Sequence, residues 1–199
     1  MPAAALLRGP SVAMLVMLIP ERDGDDESPQ EHKTHDEERY VVLTVQPRVP
    51  AASLEFVELP AGMVDDAGSF KGAAAQEMEE ELGMTIHESD LVCLNELAAA
   101  SVDGATRGDG DGDGENLPQA TFPSAGGCDE HVTIYSCERR IPRAQLREWN
   151  GRLTGLRSHG EKITLRVVAM KDLWRVGARD AKALAAVALW EGLRRDGRV

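Results

Sequence analysis

The 199 residues are 42% hydrophobic, 28% charged and only 4% aromatic, with 34 acids against 22 bases and a formal charge of −12. That length suits one domain with a real core. The acid excess excludes a phosphate-neutralising basic stripe, so neither nucleic acid nor an anionic membrane surface is expected as a partner. Cys93, Cys128 and Cys137 share no C-x-x-C spacing and suggest neither a disulfide framework nor a zinc cluster.

In chain order, the apolar run from Val12 to Ile19 is too short for the roughly 20 residues that a bilayer requires, and Arg8-Gly9-Pro10 interrupts the stretch before it. A buried β-strand fits it better. No targeting tripeptide closes the chain, so the cytoplasm is the expected compartment. Residues 21–38 are polar and acidic without apolar periodicity and read as a mobile loop. Tyr40–Val45 reads as a second strand stopped by Pro47 and Pro50, and Phe56–Leu59 as a short third one broken by Pro60-Ala61-Gly62. A helix follows from a Ser69 N-cap through Leu82, with Gly83 ending it.

Leu91–Leu97 reads as a further strand, and residues 101–121, containing RGDGDGDGEN, as a disordered low-complexity insertion. Asp109, Asp111, Asp113 and Gly114 imitate the start of an EF-hand loop, but its twelfth position is Ala120 and no helices flank it. A strand over His131–Cys137, a helix opened by Pro142, a strand over Ile163–Ala169 and a helix over Arg179–Arg195 complete the chain. Interleaved strands and helices predict an α/β fold with a mixed sheet between helices, a single domain over 1–199.

The segment GAAAQEMEEELG, residues 72–83, carries the chemistry. Glu77, Glu80 and Glu81 are spaced i, i+3, i+4 and share one helical face, beside an apolar stripe of Ala75, Met78 and Leu82, while Glu79 points toward solvent. Acids in the last turns oppose the helix dipole at about 0.3–1 kcal/mol each, and no Lys or Arg lies at i±3 or i±4 to relieve them. A divalent cation would supply the missing charge, and an oxygen-only donor set suits Mg²⁺ or Mn²⁺. The alternative is a solvated acidic face. Arg48, in the turn QPRVP, is a candidate phosphate clamp because guanidinium matches phosphate bidentately; an ordinary surface arginine is the alternative.

Residues 62–84, GMVDDAGSFKGAAAQEMEEELGM, resemble the Nudix box, G-x5-E-x7-R-E-U-x-E-E-x-G-U with U aliphatic. Gly62, Glu77, Met78, Glu80, Glu81, Gly83 and Met84 fall in register; Gly68 stands at the first glutamate and Gln76 at the arginine. Around the box, ELPAG, FPSAGGCDE, GLRSHGEKI and DAKALAAVALWE resemble the plant-type ADP-sugar diphosphatases, with the ADP-ribose pyrophosphatases as wider relatives. Ser124, Gly126 and Glu130 match the latter's downstream S-x-G-x-x-x-E signature.

The resemblance implies an α/β/α sandwich and a Mg²⁺- or Mn²⁺-dependent hydrolase that splits an ADP-sugar into AMP and sugar 1-phosphate. Glu77, Glu80, Glu81 and the Ala61 carbonyl would hold the metal. Glu80, or Glu161 in the loop SHGEKI, would act as the catalytic base. Arg48, Glu58, Ser124, Gly126 and Glu130 would contact the nucleotide sugar, and a homodimer is the assembly that the resemblance allows. UDP-glucose or ADP-ribose are the alternative substrates. The box departures at Gly68 and Gln76 leave open a Nudix-like module that binds a nucleotide with little turnover.

Overall fold

In the computed structural model of the protein, the described residues are 4–21, 38–64, 70–82, 85–106, 117–155 and 162–199. The side chains of residues 73, 76, 77, 80, 81 and 101–106 lie outside the description. So do most of the expected loop at 21–38, the Gly/Asp tract, Gly68, Ser69, Gly83, Met84 and Glu161.

One mixed sheet organises the chain. Its central strand β1 (Pro10–Pro20) is buried from Val12 to Leu18, as its unbroken apolar run requires. Along one edge β1 runs parallel to β6 (His131–Ile141), from Pro10↔His131 to Pro20↔Ile141. Along the other edge it forks. Near its end it pairs antiparallel with β2 (Tyr40–Arg48) at Met17↔Val41 and Leu18↔Tyr40; near its start it pairs with β4 (Ala61–Met63) at Ser11↔Met63 to Ala13↔Ala61. β3 (Ser53–Glu58) pairs with β2 from Thr44↔Glu58 to Arg48↔Ser53, so β3 and β4 form one strap between the diverging strands. β8 (Ile163–Ala169) lines the far edge of β2 and carries β7 (Leu153–Thr154); β5 (Val92–Cys93) lies outside β6.

Alternation along β1 separates two cores. Val12, Met14, Val16 and Leu18 face Ala74, Met78 and Leu82 of α1 (Phe70–Leu82) and Leu146 and Trp149 of α3 (Arg143–Trp149). Ala13, Leu15 and Met17 face Leu94 of α2 (Leu94–Thr106), Leu173 of α4 (Leu173–Val176) and the Ala183, Ala186, Val187, Trp190 and Leu193 stripe of α5 (Ala181–Arg195). Two helical layers therefore cover the sheet, the expected α/β/α sandwich.

Several sequence expectations need correction. Leu91–Leu97 is not a strand: only Val92–Cys93 pair, and Leu94 opens α2. Three consecutive alanines at 98–100 favour helix. Asn95 reinforces the change, its Oδ1 accepting from Ile134 N at 2.7 Å and its Nδ2 donating to Thr121 Oγ1 at 3.2 Å. Residues 101–106, assigned to the insertion, continue that helix. β2 runs through Pro47 rather than stopping there, because a bulge between Gln46 and Arg48 relieves the proline of a ladder bond. The third strand starts earlier than expected, at Ser53, and releases Leu59. The apolar stripe of α1 is Ala74, Met78 and Leu82; Ala75 is only half-buried. α5 starts two residues later than Arg179 because Asp180 caps it, accepting from Lys182 N.

Candidate active site

The strap crosses the fork at Leu59-Pro60, where strand pairing lapses and backbone groups need other partners. Pro60 has no N–H, and its carbonyl accepts from Met14 N at 2.9 Å. Leu59 is fully buried, and its N–H donates to Asp180 Oδ2 at 2.9 Å. An unpaired N–H there would cost about 1–3 kcal/mol.

Asp180 belongs to a buried ionic chain. Its Oδ1 lies 2.9 Å from Lys182 Nζ, and the same ammonium lies 3.0 Å from Glu58 Oε2. Glu58 Oε1 in turn accepts from Arg48 Nε at 2.7 Å. The Glu58 and Asp180 side chains are each 3% exposed, Lys182 19% and Arg48 42%, so the chain runs from the interior outward. Two carboxylates face one ammonium and one guanidinium, and the charges balance. Burial pulls the Lys182 pKa down, but Asp180 and then Glu58 outweigh it and hold the pKa above its ordinary value. The ammonium therefore stays charged at neutral pH. Arg48 reaches Glu58 from just beyond the β2 bulge, before the tight turn at Val49–Ala51.

α1 is seated on the sheet by Ala74, Met78 and Leu82. At 100° per residue, its positions 77, 80 and 81 fall within an arc of about 100° to one side of the Met78 stripe. Position 79 lies to the other side, and Glu79 is exposed. No basic residue occupies the last turn of α1. Three carboxylate residues on one helical arc, with β4 packed beside the helix, are of the oxygen-donor type that suits a hard divalent cation.

The downstream signature meets the opening of the box through the chain entering β1. Asp129 Oδ1 accepts from Arg8 N at 2.6 Å and from Gly9 N at 3.1 Å, and these bonds hold its carboxyl below the ordinary range. The Arg8 guanidinium lies 3.5 Å from Glu130 and 3.7 Å from Met63 Sδ, tying the Ser124–Glu130 loop to β4. The Ser124 carbonyl accepts from Gly127 N and Cys128 N, closing a tight turn around Gly126. Buried Cys137 has its thiol pushed up to about 12 by desolvation, and burial also raises Cys93, so neither is an activated nucleophile.

The structure thus joins Arg48 to Glu58, and Glu130 to the start of the box. Sequence reasoning missed Asp180, Lys182, Arg8 and Asp129. The aspartate before an Ala/Leu-rich helix was legible as a cap; its partnership with Leu59, 121 positions away, was not. A cavity of about 450 Å³ lies elsewhere, lined by Tyr40, Arg143, Leu146, Arg147, Asn150 and Val167 at the other end of β2. None of the candidate site residues lines it.

No protein-family model matches the sequence. The chain is 38% identical over all 199 residues to "Nudix hydrolase 14, chloroplastic" of Arabidopsis thaliana, and spans 54% of that protein. It therefore spans about half the length of the curated relative it matches. The solved structure titled "Crystal structure of ADP compounds hydrolase" shares the fold, with a TM-score of 0.53 at 18% identity over 96% of this chain and 75% of that one. No helix among the described residues is long and apolar enough to cross a membrane. The likeness thus runs over the whole chain, which is similar in sequence to a Nudix hydrolase and shares its α/β/α fold with the ADP compounds hydrolase structure.

Proposed function

We propose that this protein is a metal-dependent hydrolase of the diphosphate linkage in a nucleoside diphosphate sugar, with an ADP-sugar as the preferred class and AMP and sugar 1-phosphate as products. The observation that carries the reading is the seating of α1, with Glu77, Glu80 and Glu81 on one arc, beside the β4 strand of Ala61. Those three glutamates and the Ala61 carbonyl would hold Mg²⁺ or Mn²⁺, which when bound supplies Lewis acidity and a lower pKa for water. Arg48 offers a half-exposed guanidinium to the diphosphate. Glu58, buried with both oxygens engaged, orients Arg48 rather than meeting substrate. Glu130, fixed near Met63 through Arg8, lies at the box opening for a sugar or ribose contact. Either Glu80 or Glu161 serves as the base that takes a proton from the attacking water.

The test is a hydrolysis panel of ADP-glucose, ADP-ribose, UDP-glucose and dinucleoside polyphosphates with Mg²⁺ or Mn²⁺. The expected result is turnover highest on ADP-glucose. Preference for UDP-glucose or ADP-ribose reassigns the substrate within the class. Tight nucleotide binding without turnover favours a binding module, to which Gly68 and Gln76 in the box would point.

A further inference from the structure

We propose that Lys182, held by Asp180 at the start of α5, is a positioning residue for Arg48. The proposal rests on the reading of Arg48 as a phosphate-binding residue. A guanidinium at the end of a bulged strand and 42% exposed has many rotamers available, and ordering them on binding costs affinity. Its Nε–H donates to Glu58 Oε1 at 2.7 Å, which restrains the plane of the group.

Glu58 can hold that orientation only if it stays in place. Lys182 meets the second oxygen at 3.0 Å and supplies the compensating charge in the interior. Asp180 anchors Lys182 and is itself bonded twice to backbone, at Leu59 N and Lys182 N. The relay thus ends on the strap and on a helix start, two rigid points. A pair of apolar side chains could fill such a space at lower desolvation cost, so the ionic form is explained by what it orients. The relay runs Leu59 N–H, Asp180, Lys182, Glu58, Arg48, joining residues more than 120 positions apart.

The experiment measures two things on Lys182→Met, Glu58→Gln and Lys182→Arg: side-chain Nε–H exchange of Arg48 by ¹⁵N NMR, assigned with Arg48→Lys, and steady-state kinetics on the nucleotide sugar. Lys182→Met and Glu58→Gln should speed Arg48 Nε–H exchange at least tenfold and raise KM about tenfold with kcat within about threefold, the scale of one mispositioned charge-assisted contact. Lys182→Arg should recover most of both. In an Arg48→Ala background, Lys182→Met should change KM no further. Unchanged exchange in the folded variants, or KM effects that multiply in the double variant, would overturn the proposal. If Lys182→Met does not fold, Glu58→Gln decides, since it leaves the Lys182–Asp180 pair intact. Absence of turnover on every nucleotide sugar by the wild type rejects the functional reading instead, and Arg48 Nε–H exchange then decides the positioning role alone.

Discussion

The protein holds two kinds of charge cluster. On α1, three acids lie within five residues on one helical arc, with no basic residue in the last turn. By contrast, Asp180, Lys182, Glu58 and Arg48 come from the cap and start of α5, from β3 and from β2, and compensate one another within 3.0 Å. The first group is local, with no Lys or Arg at i±3 or i±4 in its helix; the second is distant in sequence and neutral. A cluster unbalanced within its own helix is poised for a ligand that brings the missing charge, whereas a balanced one holds its members in place, Arg48 among them.

The sharpest contrast is kinetic. Glu80→Gln and Glu81→Gln should each lower kcat by roughly 10²–10⁴-fold, and EDTA should abolish turnover. Glu79→Gln, on the other side of the Met78 stripe, should stay within a few-fold. Equal damage from Glu79→Gln would show that the arc of positions 77, 80 and 81 is misassigned. Glu161→Gln falls with the first pair if that loop residue is the base; wild-type behaviour leaves Glu80 in the role.

The balanced cluster should fail differently, through stability. Asp180→Ala removes a helix cap, orphans the Leu59 N–H and leaves Lys182 with only Glu58 for compensation. The expected loss is about 3–5 kcal/mol of unfolding free energy, measured by urea titration. A loss below about 1 kcal/mol would mean that water replaces the carboxylate and that the interior chain is not sealed.

A pH series sharpens the same point. The Lys182 pKa is raised, so its contribution is fully present below the ordinary value of 10.5 and fades only as pH rises through the higher native value. The stability gap between wild type and Lys182→Met should therefore be flat from pH 6 to about 10 and narrow above that. Narrowing near neutrality would contradict the ion pairs.

Smaller still is Gly177→Ala. A Cβ there would stand 2.7 Å from the Ala183 Cβ, at the corner that delivers Asp180. Overpacking at that corner should cost about 1–3 kcal/mol in the same titration. Deleting Gly108–Glu115, a Gly/Asp tract outside the described residues, should change melting temperature and rate least of all. A large effect would tie that tract to one of the two clusters.

The sequence by itself determined what depends on near neighbours and on simple periods. The eight-residue apolar run, too short for a bilayer, read as a buried strand, and β1 is buried on both faces. Four-residue spacing seated α1 on Met78 and Leu82 and grouped Glu77, Glu80 and Glu81. Its errors were also local: Leu91–Leu97 has apolar content that suits either period, and Asn95, with a partner on β6, tipped it toward helix. Pro47 reads as a stop unless a bulge is foreseen.

What only the tertiary structure decided is the fork in the sheet and everything that closes it. Whether Leu59 N–H needs a partner depends on where β2 leaves β1, and the answer lies 121 residues away in Asp180. Whether Arg48 is an idle surface charge or an oriented one depends on Glu58, and through it on Lys182. Hydrogen bonds and ion pairs act over about 3 Å, and chain distance carries no information about which charges will meet at that range.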